Sequence, residues 1–127
     1  MLWIKYCKVE YPPFVYPVSN GYHQFMKRPA PTCPAQQTLL VIGGRWKVPI
    51  IYHLQPQTRR FSELRQLLLP VTPKMLAQQL RELERDGMVR RKVYAQVPPR
   101  VEYSLTPVGK SVKPIIMAMC QWGKKCR

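Results

Sequence analysis

The hydrophobic period of this chain changes abruptly at Gly87. Before it, Leu76, Leu80 and Leu83 recur at i, i+4 and i+7, the spacing of a single buried helix face. After it the period drops to two: Val89, Arg91, Val93 and Ala95 alternate with Arg90, Lys92 and Tyr94. Beyond Gln96, Val97, Pro98 and Pro99, residues 100–105 read as a returning strand, so two strands and a proline-bearing tip make a hairpin. The chain is therefore of mixed class, and the segments around this junction decide its architecture.

Upstream the pattern is helical and punctuated. Pro34 suits a first helical position, where its missing N–H would be unpaired anyway, and residues 35–42 continue a helix that Gly43 and Gly44 end. Trp46 and residues 48–54 form a second helix, with Pro49 tolerated in its first turn. Ser62 is the expected cap of a third helix running to about residue 69, with Glu63 near the positive end of its dipole and Pro70 as its stop. Thr72 caps a fourth, opened by Pro73 and running over 73–86 to Gly87. Its leucine stripe leaves Lys74, Gln78, Arg81 and Arg85 on the other side. Downstream, Thr106 and Pro107 repeat the cap-plus-proline signature and open a last helix to about residue 122. Its apolar seam is Ile115, Ile116, Met119 and Trp122, and Pro114 should kink it.

Four helices, a hairpin and a last helix, with a short turn between helices three and four, make the winged helix-turn-helix plan. The expected class is α+β, mainly α, with a two-stranded wing. The fourth helix is the reader in this plan, because a major groove about 12 Å wide admits one helix and brings its N-terminal residues nearest the base edges. Thr72, Lys74 and Gln78 stand there.

Charge agrees with that plan. Lys and Arg number 21 against six Asp and Glu, a net +15 that implies an acidic partner: DNA, RNA or an anionic membrane surface. Every hydrophobic run is interrupted well short of about 18 residues, so no spanning helix is expected, and the first residues lack the apolar core of a signal peptide. Cys7, Cys33, Cys120 and Cys126 are few and irregularly spaced, which fits thiols in a reducing, cytoplasmic setting.

A chain of 127 residues is one domain's worth. Residues 1–32 differ from the rest: Trp3, Tyr6, Tyr11, Phe14, Tyr16, Tyr22 and Phe25 lie among five prolines without helical or strand period. They read as an irregular extension or as an aromatic arm, and Met26 is an alternative start. The DNA-binding domain is expected over 33–123, followed by a basic tail at 124–127.

The strings CPAQQTLLVIGGRWKVPIIYHL, RRFSELRQLL, TPKMLAQQLRELERDGMV and VPPRVEYSLTPVGKSV together resemble the HxlR-type transcriptional regulators, a bacterial winged-helix family of MarR-like architecture. The likeness covers roughly residues 33–123 and includes the Cys-Pro opening, the Gly-Gly-Arg-Trp-Lys break and the Pro-Pro-Arg-Val-Glu-Tyr wing. It implies a homodimer joined through its first and last helices. It also implies a pseudo-palindromic operator on double-stranded DNA, with half-site centres about 34 Å apart. In some members a cysteine opening the first helix senses oxidants or electrophiles, and Cys33 matches that position.

Residue by residue, Gln78 can pair bidentately with adenine, and Lys74 and Thr72 can reach bases or flanking phosphates. Arg59, Arg60, Arg90, Arg91, Lys92 and Arg100, with Pro99 at the wing tip, suit phosphates or the minor groove. For Arg81 and Arg85, pairing with Glu84 or Asp86, or simple exposure, is as good a reading as DNA contact. A thiol at a helix N-terminus with Lys27 and Arg28 nearby is a reasonable sensor, and a quiet structural thiol is the alternative for Cys33. Cys120 reads as core and Cys126 as an exposed tail thiol. With only His23 and His53, no carboxylate pair and no close Cys pair, neither an enzyme, a metal site nor a cofactor is expected. The rival functions are a basic RNA-binding structural protein, which would need surface aromatics for stacking, and a sequence-blind nucleoid protein.

Overall fold

The computed structural model describes residues 33–126. The expected extension at 1–32, with its Met26 start, and Arg127 at the end of the basic tail lie outside the described residues. The order is α1 (Pro34–Ile42), α2 (Lys47–Leu54), β1 (Arg59–Arg60), α3 (Phe61–Leu67), α4 (Pro73–Arg85), β2 (Val89–Tyr94), β3 (Arg100–Leu105), α5 (Pro107–Ser111) and α6 (Lys113–Lys125). The fold is mainly helical with a small antiparallel sheet, the winged helix-turn-helix that the change of period implies.

Local chemistry sets the ends of these elements. The Thr72 hydroxyl accepts the Met75 N–H at 3.1 Å, and Pro73 fills the first helical position of α4. At the other end Gly87 takes φ +76°, a left-handed conformation that costs glycine little. That lets the Met88 N–H reach the Leu83 carbonyl at 2.9 Å and the Gly87 N–H reach Glu84 at 3.0 Å, closing α4 as it hands over to β2. Thr106 does the same for the exit of β3. Its hydroxyl accepts the Gly109 N–H at 3.1 Å and donates to the Gly87 carbonyl at 2.6 Å, fastening the start of α5 to the end of α4.

The sheet gains a strand beyond the expected two-stranded wing, and two helices depart from their expected form. The wing hairpin does pair β2 with β3, Val89 opposite Leu105 and Tyr94 opposite Arg100, but β1 adds a third strand in the order β1-β3-β2, with Arg59 opposite Tyr103. A two-residue strand is too short to show alternation in sequence. Because β1 runs straight into α3, the cap of that helix is Arg60, in extended backbone, and Ser62 lies inside its first turn. Glu63 does serve the helix start, accepting the Arg60 N–H at 3.1 Å. The last helix is two: α5 and α6 meet at Val112, and Pro114 sits in the first turn of α6, where it breaks no hydrogen bond and causes no kink.

The core gathers one face of each helix around the sheet. Leu76, Leu80 and Leu83 of α4 meet Ile50, Ile51 and Leu54 of α2, Leu64 of α3, and Met88, Val89, Tyr103 and Leu105 from the wing. Of the expected seam on α6 only Ile116 is buried; Ile115, Met119 and Trp122 are exposed, Trp122 by 70%. Cys120 is exposed as well, against its reading as core.

Among these apolar contacts lies one charged pair. Lys47, at the start of α2, is 7% exposed, and its Nζ is 2.7 Å from Glu82 Oε2 on α4. The hydrogen bond from Lys47 holds the Glu82 carboxyl below its ordinary value of 4.5, outweighing partial burial, which acts in the opposite sense. A carboxyl depressed by folding contributes stability above its unfolded value, and that contribution fades as pH falls through the folded value. Glu82→Gln should therefore lower the unfolding free energy by about 1–3 kcal/mol at pH 7, because it leaves a buried ammonium facing a neutral amide. The gap to wild type should narrow steadily below pH 4.5. Urea unfolding of both proteins from pH 7 to pH 3 measures this.

Candidate nucleic-acid interface

Burial of the leucine stripe turns the other face of α4 outward. Lys74, Gln78 and Arg81 are exposed there, with Met75 beside them. Thr72 is exposed, and its hydroxyl is engaged in capping. The Gln78 side chain donates from Nε2 to Glu82 Oε1 at 3.5 Å, so one carboxylate links the outward glutamine to the buried Lys47. Arg85 Nε lies 3.6 Å from Asp86 Oδ1, and its side chain stays about half exposed.

The wing is tied to α4 by Arg91, whose Nε lies 3.7 Å from Glu84 Oε2. Arg90, Lys92 and Pro99 are exposed. Arg100 is half-buried: its Nε is 3.3 Å from Glu102 Oε1 and its guanidinium lies 4.1 Å over the Tyr94 ring. Lys92 Nζ stands 4.8 Å from the same ring, so Tyr94 carries two cations on the hairpin. Arg59 and Arg60 separate. Arg60 is exposed, while Arg59 Nε donates to the His53 carbonyl at 2.7 Å and anchors the end of α2. His53 stands in the last turn of α2, where a helix end favours a cation, but burial first and Arg59 second push its pKa below 6.5, which favours the neutral ring.

Cys33 is the N-cap of α1 and half-buried, with its carbonyl accepting the N–H of Gln36 at 3.0 Å. Leu39 and Leu40 of α1 and Ile115, Met117, Met119 and Trp122 of α6 expose large apolar side chains, and Cys120 and Cys126 are exposed on α6 and at its end. Among the described residues no cluster of His, Cys, Asp or Glu could hold a metal ion, and no helix is long and apolar enough to cross a membrane.

Sequence reasoning missed Lys47, Glu82 and Tyr94. A signal for the first existed: a lysine between Trp46 and the run from Val48 to Ile51 must find a carboxylate if that face is buried. The stacking of Arg100 on Tyr94 follows only from the hairpin register.

A family model described as HxlR-like helix-turn-helix matches residues 41–127. Two proteins of Bacillus subtilis (strain 168) described as uncharacterised HTH-type transcriptional regulators are close in sequence. YdeP is 53% identical over 93 residues, 73% of each chain, and YybR is 50% identical over 95 residues, 75% of this chain and 76% of YybR. Among solved structures, the redox regulator HypR in its oxidised form superposes with a TM-score of 0.69 at 50% identity, covering 75% of this chain and 98% of HypR. The reduced form of the transcriptional regulator YodB from B. subtilis superposes with a TM-score of 0.65 at 31% identity, covering 75% and 94%. With sequence and fold in agreement, the chain belongs to the HxlR-like helix-turn-helix family and is a transcriptional regulator of HxlR/MarR type.

Proposed function

We propose that this chain acts in the cytoplasm as a homodimer that reads a pseudo-palindromic operator in double-stranded DNA. Residues 33–123 form the DNA-binding domain in this reading, with 124–127 as its basic tail. The observation that carries it is α4: capped by Thr72, locked by its leucine stripe, and exposing Lys74 and Gln78 at the end that meets base edges. Arg60 and Arg91, with Pro99 at the hairpin tip, meet phosphates or the minor groove in this reading, and Arg59 and Arg100, held by the His53 carbonyl and by Glu102 and Tyr94, border the same surface; together they position the helix without specifying sequence. The exposed apolar residues of α1 and α6 support a dimer, since a small basic domain gains from covering them with a second copy.

Cys33 is the redox-responsive residue in this account. Its place at the N-terminus of α1 supports the role, because helix N-terminal N–H groups stabilise a thiolate. The likeness to regulators described as redox-active supports it too. Oxidants or electrophiles that modify Cys33 beside a dimer helix shift the balance between conformers with different half-site spacing.

Binding of the reduced protein to the duplex upstream of its own gene, beside a scrambled duplex and across a salt series, tests the reading. A specificity ratio of about 10³ or more is expected, and a ratio near one contradicts it. Lys74→Ala and Gln78→Ala should weaken specific binding more than non-specific binding, whereas Arg60→Ala should weaken both and reduce the salt slope by about one. Treatment with diamide should change the affinity of the wild-type protein and leave Cys33→Ser unaffected; an intact response in Cys33→Ser removes Cys33 from the mechanism.

A further inference from the structure

Gln78 and Glu82 stand one turn apart on α4, and the Glu82 carboxylate has a different partner on each oxygen. Oε2 lies 2.7 Å from the buried Lys47 ammonium, and Oε1 accepts from Gln78 Nε2 at 3.5 Å. A glutamine amide can turn end over end, exchanging an acceptor for a pair of donors, and an exposed one normally samples both orders. A carboxylate beside it removes that freedom, because it only accepts: the nitrogen must face Glu82 and the carbonyl oxygen must not. Lys47 makes the constraint firm. If Glu82 swung away it would strand the ammonium of a lysine whose side chain is only 9% exposed.

We propose that Glu82 is a specificity-determining positioning residue, which orders the Gln78 amide so that its carbonyl and its second N–H face outward in one fixed sequence. That sequence matches adenine, whose N6 amino group donates and whose N7 accepts. An amide free to turn can also offer its nitrogen to guanine, where both O6 and N7 accept, so the order supplied by Glu82 separates adenine from guanine. Lys47 also cancels the charge of Glu82, which would otherwise repel DNA phosphate. The inference rests on the reading of α4 as the recognition helix.

The test is selection of bound duplexes from a randomised library by the full chain, by Gln78→Ala, by Glu82→Asp, and by the paired variant Lys47→Met with Glu82→Gln. The paired variant removes both charges at similar volume. Glu82→Asp keeps the charge and draws the carboxylate back by one methylene, so it reads the inference even if the paired variant does not fold. The wild type should select adenine at one position per half-site, and Gln78→Ala should lose the preference there alone. Both Glu82 variants should lose adenine-over-guanine preference at that same position by about tenfold, with other positions and the salt slope unchanged. Retention of the wild-type preference in the Glu82 variants, or an even loss of affinity across all positions, overturns the inference while leaving the recognition helix in place. A wild-type chain that selects no motif, or a Gln78→Ala variant whose motif is unchanged, overturns the assignment of α4 and Gln78 themselves, and the inference falls with it.

Discussion

Burial of Leu76, Leu80 and Leu83 fixes the rotation of α4 about its own axis, and the outward face of the domain follows from it. Residues three and four apart share a helix face, so seating those leucines against Ile50, Ile51 and Leu64 leaves Lys74, Gln78 and Arg81 no alternative to solvent. The cap at Thr72 and the left-handed Gly87 then fix the length of α4 and the point at which the chain enters the wing. Replacing the stripe with smaller side chains would loosen the reading face as well as the core.

Carboxylates are scarce in so basic a chain, and those among the described residues each have a defined use. Glu63 serves the start of α3, Glu82 meets Lys47, Glu84 meets Arg91, Asp86 meets Arg85, and Glu102 meets Arg100. Four of these five partners are side-chain cations, and their carboxylates sit on α4, at its C-terminal cap or on β3. Negative charge is thus spent on tying α2 and β2 to α4 and on bracing the hairpin. Lys74, Arg60, Arg81, Arg90 and Lys92 remain exposed around these ties. Exposed ion pairs contribute little stability, but the pair made by the buried Lys47 joins α2 to α4 and reaches a side chain on the outward face.

Much of this was legible in the residues because local rules and the tertiary fold agree. The leucine spacing, the Thr-Pro starts and the change of period at Gly87 placed α4, the hairpin and the start of α5 with errors of a residue or two. The failures have physical causes. β1 is two residues long and is defined by its partner, with no pattern of its own. Pro114 can either kink a helix or begin one, and the break at Val112 selects the second. Trp122 and Cys120 look like core from their place among the apolar residues of the last helix, yet one copy of the chain leaves them exposed, because periodicity shows which face is apolar and not what covers it. Of the candidate site, the exposed glutamine and lysine on α4 could be read from the stripe. The Lys47, Glu82 and Gln78 relay joins residues distant in sequence and needed the packing of α2 on α4.

Whether two copies of α4 read one operator can be seen by hydroxyl-radical footprinting of the full chain on a bound duplex. Two patches of backbone protection related by a two-fold axis are expected, with centres about 10–10.5 base pairs apart. A single patch, or uniform protection that ignores sequence, would contradict the two-copy reading.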